Sequence, residues 1–256
     1  MAWIRRHRLV TFFALAYVIA WCAWPLYLTG VLPRLEFQAC GPLVAALVVA
    51  SVADGRAGLR ELGARMIRWR VGWQWWAVAF LVPIAVHVVT ALLASGAIRP
   101  NFVWTDLALF FAIRLVNPLD GPLGEEPGWR GFALPHMPFS PLASAAVLGV
   151  LVAGWHIPLV TVGNLGSWLE LATTFSLTII YAWLFNRTGG SALLTLVFHA
   201  VEGTLQPGTL GAEPSRFTTW YFVVWTVVAV GVALDRKAWT ATTARQDTAT
   251  SSTSSI

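Results

Sequence analysis

The sequence predicts an all-α membrane protein, a polytopic bundle of about eight transmembrane helices with an intramembrane polar cavity. The first observation is composition: of the 256 residues, 57% are hydrophobic and 11% are charged, and the mean hydropathy is +0.67. Soluble globular domains are far less apolar. The second observation is that the apolar residues form continuous runs, most of them near the roughly 20 residues that a helix needs to cross a bilayer.

Eight apolar runs are candidate spans: 9–28, 37–53, 73–94, 106–119, 141–162, 168–185, 191–206 and 217–234. The second and seventh runs are short, so we expect them to be tilted or not to span fully. The domain prediction is one helical transmembrane domain, 1–239, whose motif-bearing core is 121–206. Residues 240–256 are rich in Thr, Ser and Ala, which predicts a disordered cytoplasmic tail.

The basic residues predict the orientation, because short cytoplasmic loops collect Lys and Arg. With eight spans, both termini lie on the same side of the membrane. This side holds all but four of the Lys and Arg residues, at 5–8, 56–70, 130, 187, 236–237 and 245. The other side holds Arg34, Arg99 and Arg216, and Arg114 falls within a span. We therefore expect a multi-pass cell-membrane protein with both termini cytoplasmic. Its net charge of +5 follows the inner loops, so the bilayer is the expected partner and nucleic acid is not.

Three polar clusters interrupt the apolar runs: Glu125 to Arg130, Trp155 with His156, and His199 with Glu202. An ionisable side chain at membrane depth costs a few kcal/mol on insertion scales, so such residues face a bundle interior or a wet cavity. We interpret the three clusters as parts of one polar site.

The spacing of the first cluster separates its two carboxylates. Glu126 and Arg130 are four residues apart, so they share a helix face and can pair, whereas Glu125 points about 100° away and has no obvious partner. Pro127 and Gly128 predict that the helix restarts or kinks here. We expect Glu126 and Arg130 to hold the architecture and Glu125 to be a general base. The competing interpretation is a buried ion network that only fastens two helices.

The histidines favour the catalytic interpretation. His156 precedes Pro158, which would bend the helix near the imidazole. Glu202, one turn after His199, is placed to orient that ring. Glu202 and Trp129 are secondary candidates for the site, and His87 and His136 are weaker ones.

Taken in order, these motifs resemble a known family. The residues EEPGWRGFALP at 125–135, then His156, then NRTGGS at 186–191 leading to His199 are similar to the CPBP intramembrane proteases, the CAAX prenyl protease and bacteriocin-processing (Abi-type) group. The resemblance covers about residues 121–203. It implies a helical bundle that hydrolyses a peptide bond of a membrane-associated or lipidated substrate. In this resemblance Glu125 is the general base assisted by His156, Glu126 and Arg130 are structural, and His199 lies on the oxyanion side.

The chain departs from the family pattern at two positions. Val152 stands where the family has Phe, four residues before His156, and we expect this change to affect packing. Gly203 stands where the family has Asn, four residues after His199, so a hydrogen-bond donor is missing. Either Glu202, Thr204 or Gln206 supplies a substitute, or the oxyanion side is impaired.

The sequence leaves alternatives open for both the cofactor and the function. We expect no obligatory cofactor; Glu125, His156 and His199 are the ligands available if zinc is present, but no HExxH pair supports it. One alternative function is a non-catalytic family member, an immunity or interaction protein, which Gly203 favours. The other is a transporter whose path carries the buried charges Arg114, Glu125, Glu126, Glu170 and Glu202, although no internal repeat supports it.

The predicted orientation can be tested by cysteine labelling in intact cells, with Cys22 and Cys40 replaced by serine. Arg99→Cys should react with a membrane-impermeant maleimide from outside, and Arg60→Cys should react only after the cells are opened. Labelling of Arg60→Cys in intact cells would reverse the orientation.

Overall fold

The computed structural model describes residues 2–34, 37–162 and 167–240, and within these ranges every regular element is a helix. Nine of the helices, in chain order, are α1 (Arg8–Trp21), α2 (Gly41–Met66), α3 (Trp73–Ser95), α4 (Trp104–Val116), α5 (Pro122–Glu126), α6 (Pro141–Trp155), α7 (Leu169–Arg187), α8 (Ala192–Thr204) and α9 (Pro214–Ala233). A π-helix, Pro127–Ala133, continues α5. The shorter helices are Ala2–Arg6, Trp24–Leu28, Leu134–His136, Ile157–Thr161, Arg236–Trp239 and a 3-10 turn, Pro207–Leu210.

Five helical segments of the described chain are long and apolar enough to cross a membrane: Arg8–Leu28, Gly41–Met66, Trp73–Ser95, Pro141–Thr161 and Pro214–Ala233. The all-helical membrane fold class is therefore confirmed, but the count of about eight spans is not. Helices α4 and α8 have 13 residues each, a length of about 20 Å at 1.5 Å per residue. Helix α7 has 19 residues, but Glu170, Arg187 and its Thr and Ser residues make it less apolar.

The second run is longer in the structure than the sequence predicted. Helix α2 continues past the apolar run into the arginine-rich segment and ends at Met66, so that it is 26 residues long. It bends at Gly55, whose φ of 62° lies in the left-handed region that favours glycine. The predicted tail, 240–256, lies outside the described residues except for Thr240, so that boundary stays a prediction.

Local chemistry explains where several helices begin. Proline occupies the first turn of α2, α5, α6 and α9, where its missing N–H costs no hydrogen bond. Ser191 caps α8 by accepting a bond from the Leu194 N–H. Glu213 caps α9, and the N–H groups of Ser215 and Arg216 that donate to its carboxylate hold the pKa of Glu213 below its usual value.

Helix α2 lies exceptionally close to the motif-bearing segment. A Cβ added to Gly128 would lie 2.5 Å from the backbone of Pro42, and one added to Gly124 would lie 2.5 Å from the carbonyl oxygen of Ala39. Real Cβ atoms do not approach backbone atoms so closely, so both positions require glycine. The glycines allow the start of α2 to pack directly on α5 and the π-helix.

An aromatic core fixes α1, α6 and the π-helix together. Trp129 and Trp155 are fully buried, and their rings meet edge to face at 5.6 Å. The indole N–H of Trp155 donates to the Ala16 carbonyl at 3.1 Å, and that of Trp21 donates to the Trp155 carbonyl at 2.9 Å. Buried indole N–H groups need such partners, so these bonds set the register of α6 against α1.

We predict that Gly128→Ala destabilises the fold, because the backbone of Pro42 cannot move away from the new methyl group. Overpacking of this kind costs about 1–3 kcal/mol. Thermal unfolding in detergent should show a lower midpoint than the unmodified protein. The matched control is Gly63→Ala in α2, where a Cβ meets nothing within 4 Å, and this variant should gain up to about 1 kcal/mol of helix propensity. Equal behaviour of the two variants would contradict the close packing.

Candidate active site

The acidic motif sits where α5 passes into the π-helix. The sequence predicted a restart or a kink at Pro127 and Gly128, and the structure has the wider π-helical turn, 127–133, at this place. The segment from Gly124 to Leu134 is buried throughout. Short π-helical turns occur preferentially at functional sites, and here the turn follows directly after both carboxylates.

Glu126 is the centre of a buried ion cluster. Its carboxylate is fully buried, and its Oε1 accepts a bond from Arg130 Nη1 at 3.1 Å and one from His199 Nδ1 at 3.0 Å. The hydroxyl of Thr195 is a further polar neighbour. The expected Glu126–Arg130 pair is therefore formed, and it connects the motif to α8.

Tyr181 on α7 completes this cluster, although no motif or spacing in the sequence points to it. The Arg130 guanidinium carbon lies 4.7 Å from the centre of the Tyr181 ring, and the same ring stacks on His199 at 5.3 Å. A cation over an aromatic face is attracted by the ring quadrupole. The buried Arg130 guanidinium is thus stabilised by the Tyr181 ring as well as by the Glu126 carboxylate.

Glu125, the residue next to Glu126 in α5, faces His156 at the end of α6. Its Oε1 lies 4.0 Å from His156 Nε2, and its Oε2 accepts a bond from the indole N–H of Trp129 at 3.3 Å. His156 Nδ1 lies 2.8 Å from the carbonyl oxygen of Val152. Because a carbonyl can only accept, Nδ1 carries a proton, so in the neutral form of the ring Nε2 has its lone pair on the side of Glu125.

A cavity of about 430 Å³ opens beside these groups. Its wall includes five of the site residues that the sequence predicts, namely Glu125, Arg130, His156, His199 and Glu202. His87, Glu170 and Tyr221 also line it. Glu126 and Trp129 lie behind this wall and hold Arg130, His199 and Glu125 in place. His136 makes no such contribution, because its Nδ1 bonds the Phe132 carbonyl and its ring stacks on Phe132.

One orientation predicted from the sequence is wrong. Glu202 does not hold the ring of His199, since His199 Nδ1 bonds Glu126 instead. Glu202 accepts a bond of 2.5 Å from the hydroxyl of Tyr221 on α9, and the buried His87 ring lies 4.9 Å from the ring of Tyr221. Sequence spacing favoured a neighbour on the same helix, whereas the carboxylate that bonds His199 comes from a segment 73 residues away.

The substitutes considered for the missing donor at Gly203 have other partners. The Thr204 hydroxyl donates to the Ala200 carbonyl at 2.6 Å, and the Gln206 amide donates to the Gly203 carbonyl at 2.8 Å. The space beside Gly203 is filled from another helix. A Cβ added to Gly203 would lie 2.5 Å from Cζ and 2.9 Å from Nε of Arg114 on α4. The sequence feature that singles out Arg114 is that it is a charged residue within the apolar run 106–119.

The zinc ligands considered from the sequence do not form a metal site. Glu125, His156 and His199 belong to no such group, since no three His, Cys, Asp or Glu side chains in the described parts of the chain are placed to hold one ion. The expectation that no metal is obligatory stays a prediction.

Comparison with known proteins bears on this geometry. Residues 103–204 match the family described as Type II CAAX prenyl endopeptidase Rce1-like. The resemblance to the CPBP and CAAX proteases is confirmed. The Rce1-like region begins just before α4 and ends with α8, so it contains all three polar clusters and Arg114. A search of curated proteins finds no match to this chain. The family and the five apolar helices support a membrane location.

We predict that Arg130→Met strongly destabilises the protein, because it leaves the Glu126 carboxylate buried with only His199 to balance its charge. Removing one partner of a buried ion pair costs about 3–5 kcal/mol. Thermal unfolding of purified protein in detergent measures the loss.

The chain offers a matched control at the same spacing. Glu61 and Arg65 also form an ion pair four residues apart, but Glu61 is 61% exposed. Breaking an exposed pair with Glu61→Gln should cost less than about 1 kcal/mol. A cost for Arg130→Met as small as that for Glu61→Gln would contradict the central position of the buried cluster.

Proposed function

We propose that this protein is an intramembrane endopeptidase that hydrolyses a peptide bond of a membrane-associated or lipidated substrate. The Rce1-like match supports the reaction class. The single observation that carries the mechanism is the 4.0 Å separation between Glu125 Oε1 and His156 Nε2.

This separation suits a water molecule that donates one hydrogen to each atom. Hydrogen bonds from water to oxygen or nitrogen are about 2.8 Å long, so atoms 4.0 Å apart can share one water but do not bond each other. Both atoms are acceptors when the His156 ring is neutral, because its other nitrogen donates to Val152. The water oxygen then has its lone pairs free to point into the cavity.

The reaction follows from this placement. Glu125 takes a proton from the water while the water oxygen bonds the scissile carbonyl carbon. The carbonyl π bond breaks, so the carbon becomes tetrahedral and its oxygen becomes an oxyanion. The proton then passes from Glu125 to the leaving nitrogen, and the C–N bond breaks to give a carboxylic acid and an amine. General-base catalysis by a positioned carboxylate contributes about 10²–10⁴ in rate.

His199 is the first donor on the oxyanion side. Its Nδ1 donates to Glu126, so Nε2 can donate into the cavity only when the ring carries both protons. The Glu126 carboxylate favours this imidazolium, although it also pairs with Arg130. The Tyr181 ring stacks on the face of His199. Glu126 and Arg130 are positioning residues in this mechanism, and Trp129 orients Glu125.

The test compares purified protein in nanodiscs with its Glu125→Gln and His156→Ala variants. The substrates are a farnesylated peptide with a CAAX-type C-terminus and its unprenylated counterpart, with products identified by mass spectrometry. Each variant should lose about 10²–10⁴ in kcat, and the substrate preference reports whether the lipid is recognised. Activity should survive EDTA.

His136→Ala is the matched control. His136 makes the same Nδ1 bond to a carbonyl four residues earlier but does not line the cavity, so its loss should leave kcat unchanged in folded protein. Normal turnover by Glu125→Gln would refute the assignment of the base. Loss of activity in EDTA that only zinc restores would refute the metal-free mechanism. A folded wild-type protein that cleaves neither peptide would favour the non-catalytic alternative.

A further inference from the structure

Arg114 is a charged side chain with few partners in an apolar part of the chain. It lies on α4 with 13% of its side chain exposed, and its guanidinium stands 5.4 Å from the ring of Phe110. Its ion-pair partner is Asp120, at 3.4 Å from Nη1. Its Nε is buried and has no hydrogen-bond partner among the described residues. A largely buried cation with a buried donor that makes no hydrogen bond costs free energy, which points to a use beyond packing.

Glycine at position 203 allows this guanidinium to reach the site. Gly203 lines the cavity and lies one helical turn after His199, on the same face of α8. An added Cβ would collide with Nη2 of Arg114 and would lie 2.5 Å from Cζ. The guanidinium therefore occupies the position that a side chain at 203 would take beside His199.

The same guanidinium also approaches the water-activating side. A Cβ added to Gly121 would lie 3.3 Å from Glu125 Oε1 and 3.9 Å from Arg114 Nη2. Both atoms therefore border the same small volume beside Gly121. Arg114 thus adjoins both the carboxylate proposed as the base and the face of α8 that carries His199.

We infer that Arg114 is a further catalytic residue, the cationic donor that stabilises the oxyanion formed during cleavage. This inference rests on the proposed endopeptidase function. A guanidinium keeps its charge at any pH at which the protein is folded and presents five N–H donors in a rigid plane. Donors aimed at a developing oxyanion act most strongly where water is excluded, and removing one costs about 10²–10³ in kcat.

The first arm of the test measures kinetics with the farnesylated peptide. Arg114→Ala removes the guanidinium, and Gly203→Ala displaces it while retaining the arginine. Each should lower kcat about 10²–10³ with little change in KM, and the double variant should be no worse than either single variant. Gly231→Ala in α9, where a Cβ meets nothing within 4 Å, is the control and should leave kcat unchanged.

Two kinetic outcomes would overturn the inference. Normal kcat in Gly203→Ala would show that displacing the guanidinium has no effect, and this variant keeps the test valid if Arg114→Ala does not fold. The second outcome is a raised KM with normal kcat in Arg114→Ala, in which the KM difference from the wild-type protein disappears when the peptide has a C-terminal amide. Arg114 would then bind the terminal carboxylate of the substrate instead of the reaction oxyanion.

The second arm measures binding and needs no turnover. The probes are a farnesylated pseudopeptide with a phosphinate in place of the scissile amide and its uncharged ketomethylene counterpart. The wild-type protein should bind the phosphinate more tightly, and Arg114→Ala should lose at least tenfold of that preference. Equal binding of the two probes by the wild-type protein would overturn the inference.

The two arms separate this inference from the proposed function. Cleavage that is lost in Glu125→Gln but normal in Arg114→Ala would refute the inference and leave the endopeptidase standing. A wild-type protein without cleavage, whose phosphinate preference nevertheless depends on Arg114, would refute the proposed function and support an oxyanion site.

Discussion

The site depends on the neutralisation of one carboxylate, that of Glu126. A carboxylate without partners would not remain charged in so apolar an interior, and Glu126 meets Arg130 from its own helix and His199 from α8. This single group therefore ties together the motif segment, α8 and, through the Tyr181 ring, α7. Once Glu126 is fixed in the cluster, the helical period turns its neighbour Glu125 toward the cavity. Two identical side chains in adjacent positions thus take different environments.

The π-helical turn is held from the side of α2 as well. The guanidinium of Arg65 donates to the Gly131 carbonyl at 2.6 Å, which satisfies an acceptor inside the turn. Gly128 allows the start of α2 to contact the turn without a side chain between them. The motif segment is consequently clamped between α2 and the ion cluster, and Trp129 can hold Glu125 in one orientation. Preorganised groups of this kind are what catalysis in a low-dielectric site requires.

Composition and apolar runs were sufficient to predict the fold class, and the spacing of Glu126 and Arg130 was sufficient to predict their pair. The number of spans was not predictable from runs alone, because 106–119 and 191–206 form helices of only 13 residues. The approach of Glu126 to His199, and the binding of Glu202 by Tyr221, join residues distant in sequence. Periodicity along one helix carries no information about such contacts. Val152, which the sequence marked as a packing change, accepts the bond that fixes the His156 tautomer, and any residue type provides that carbonyl.

The contact between Arg114 and Gly203 also constrains how the chain can change over evolutionary time. The guanidinium occupies the volume of any Cβ at 203, so arginine can adopt this position only in a chain that already has glycine there. Loss of the side chain at 203 must then come before, or together with, the placement of the guanidinium. Reversion at 203 alone would force the arginine out of its position. A substitution at either position therefore changes the space available to the other, so the two positions are sterically coupled.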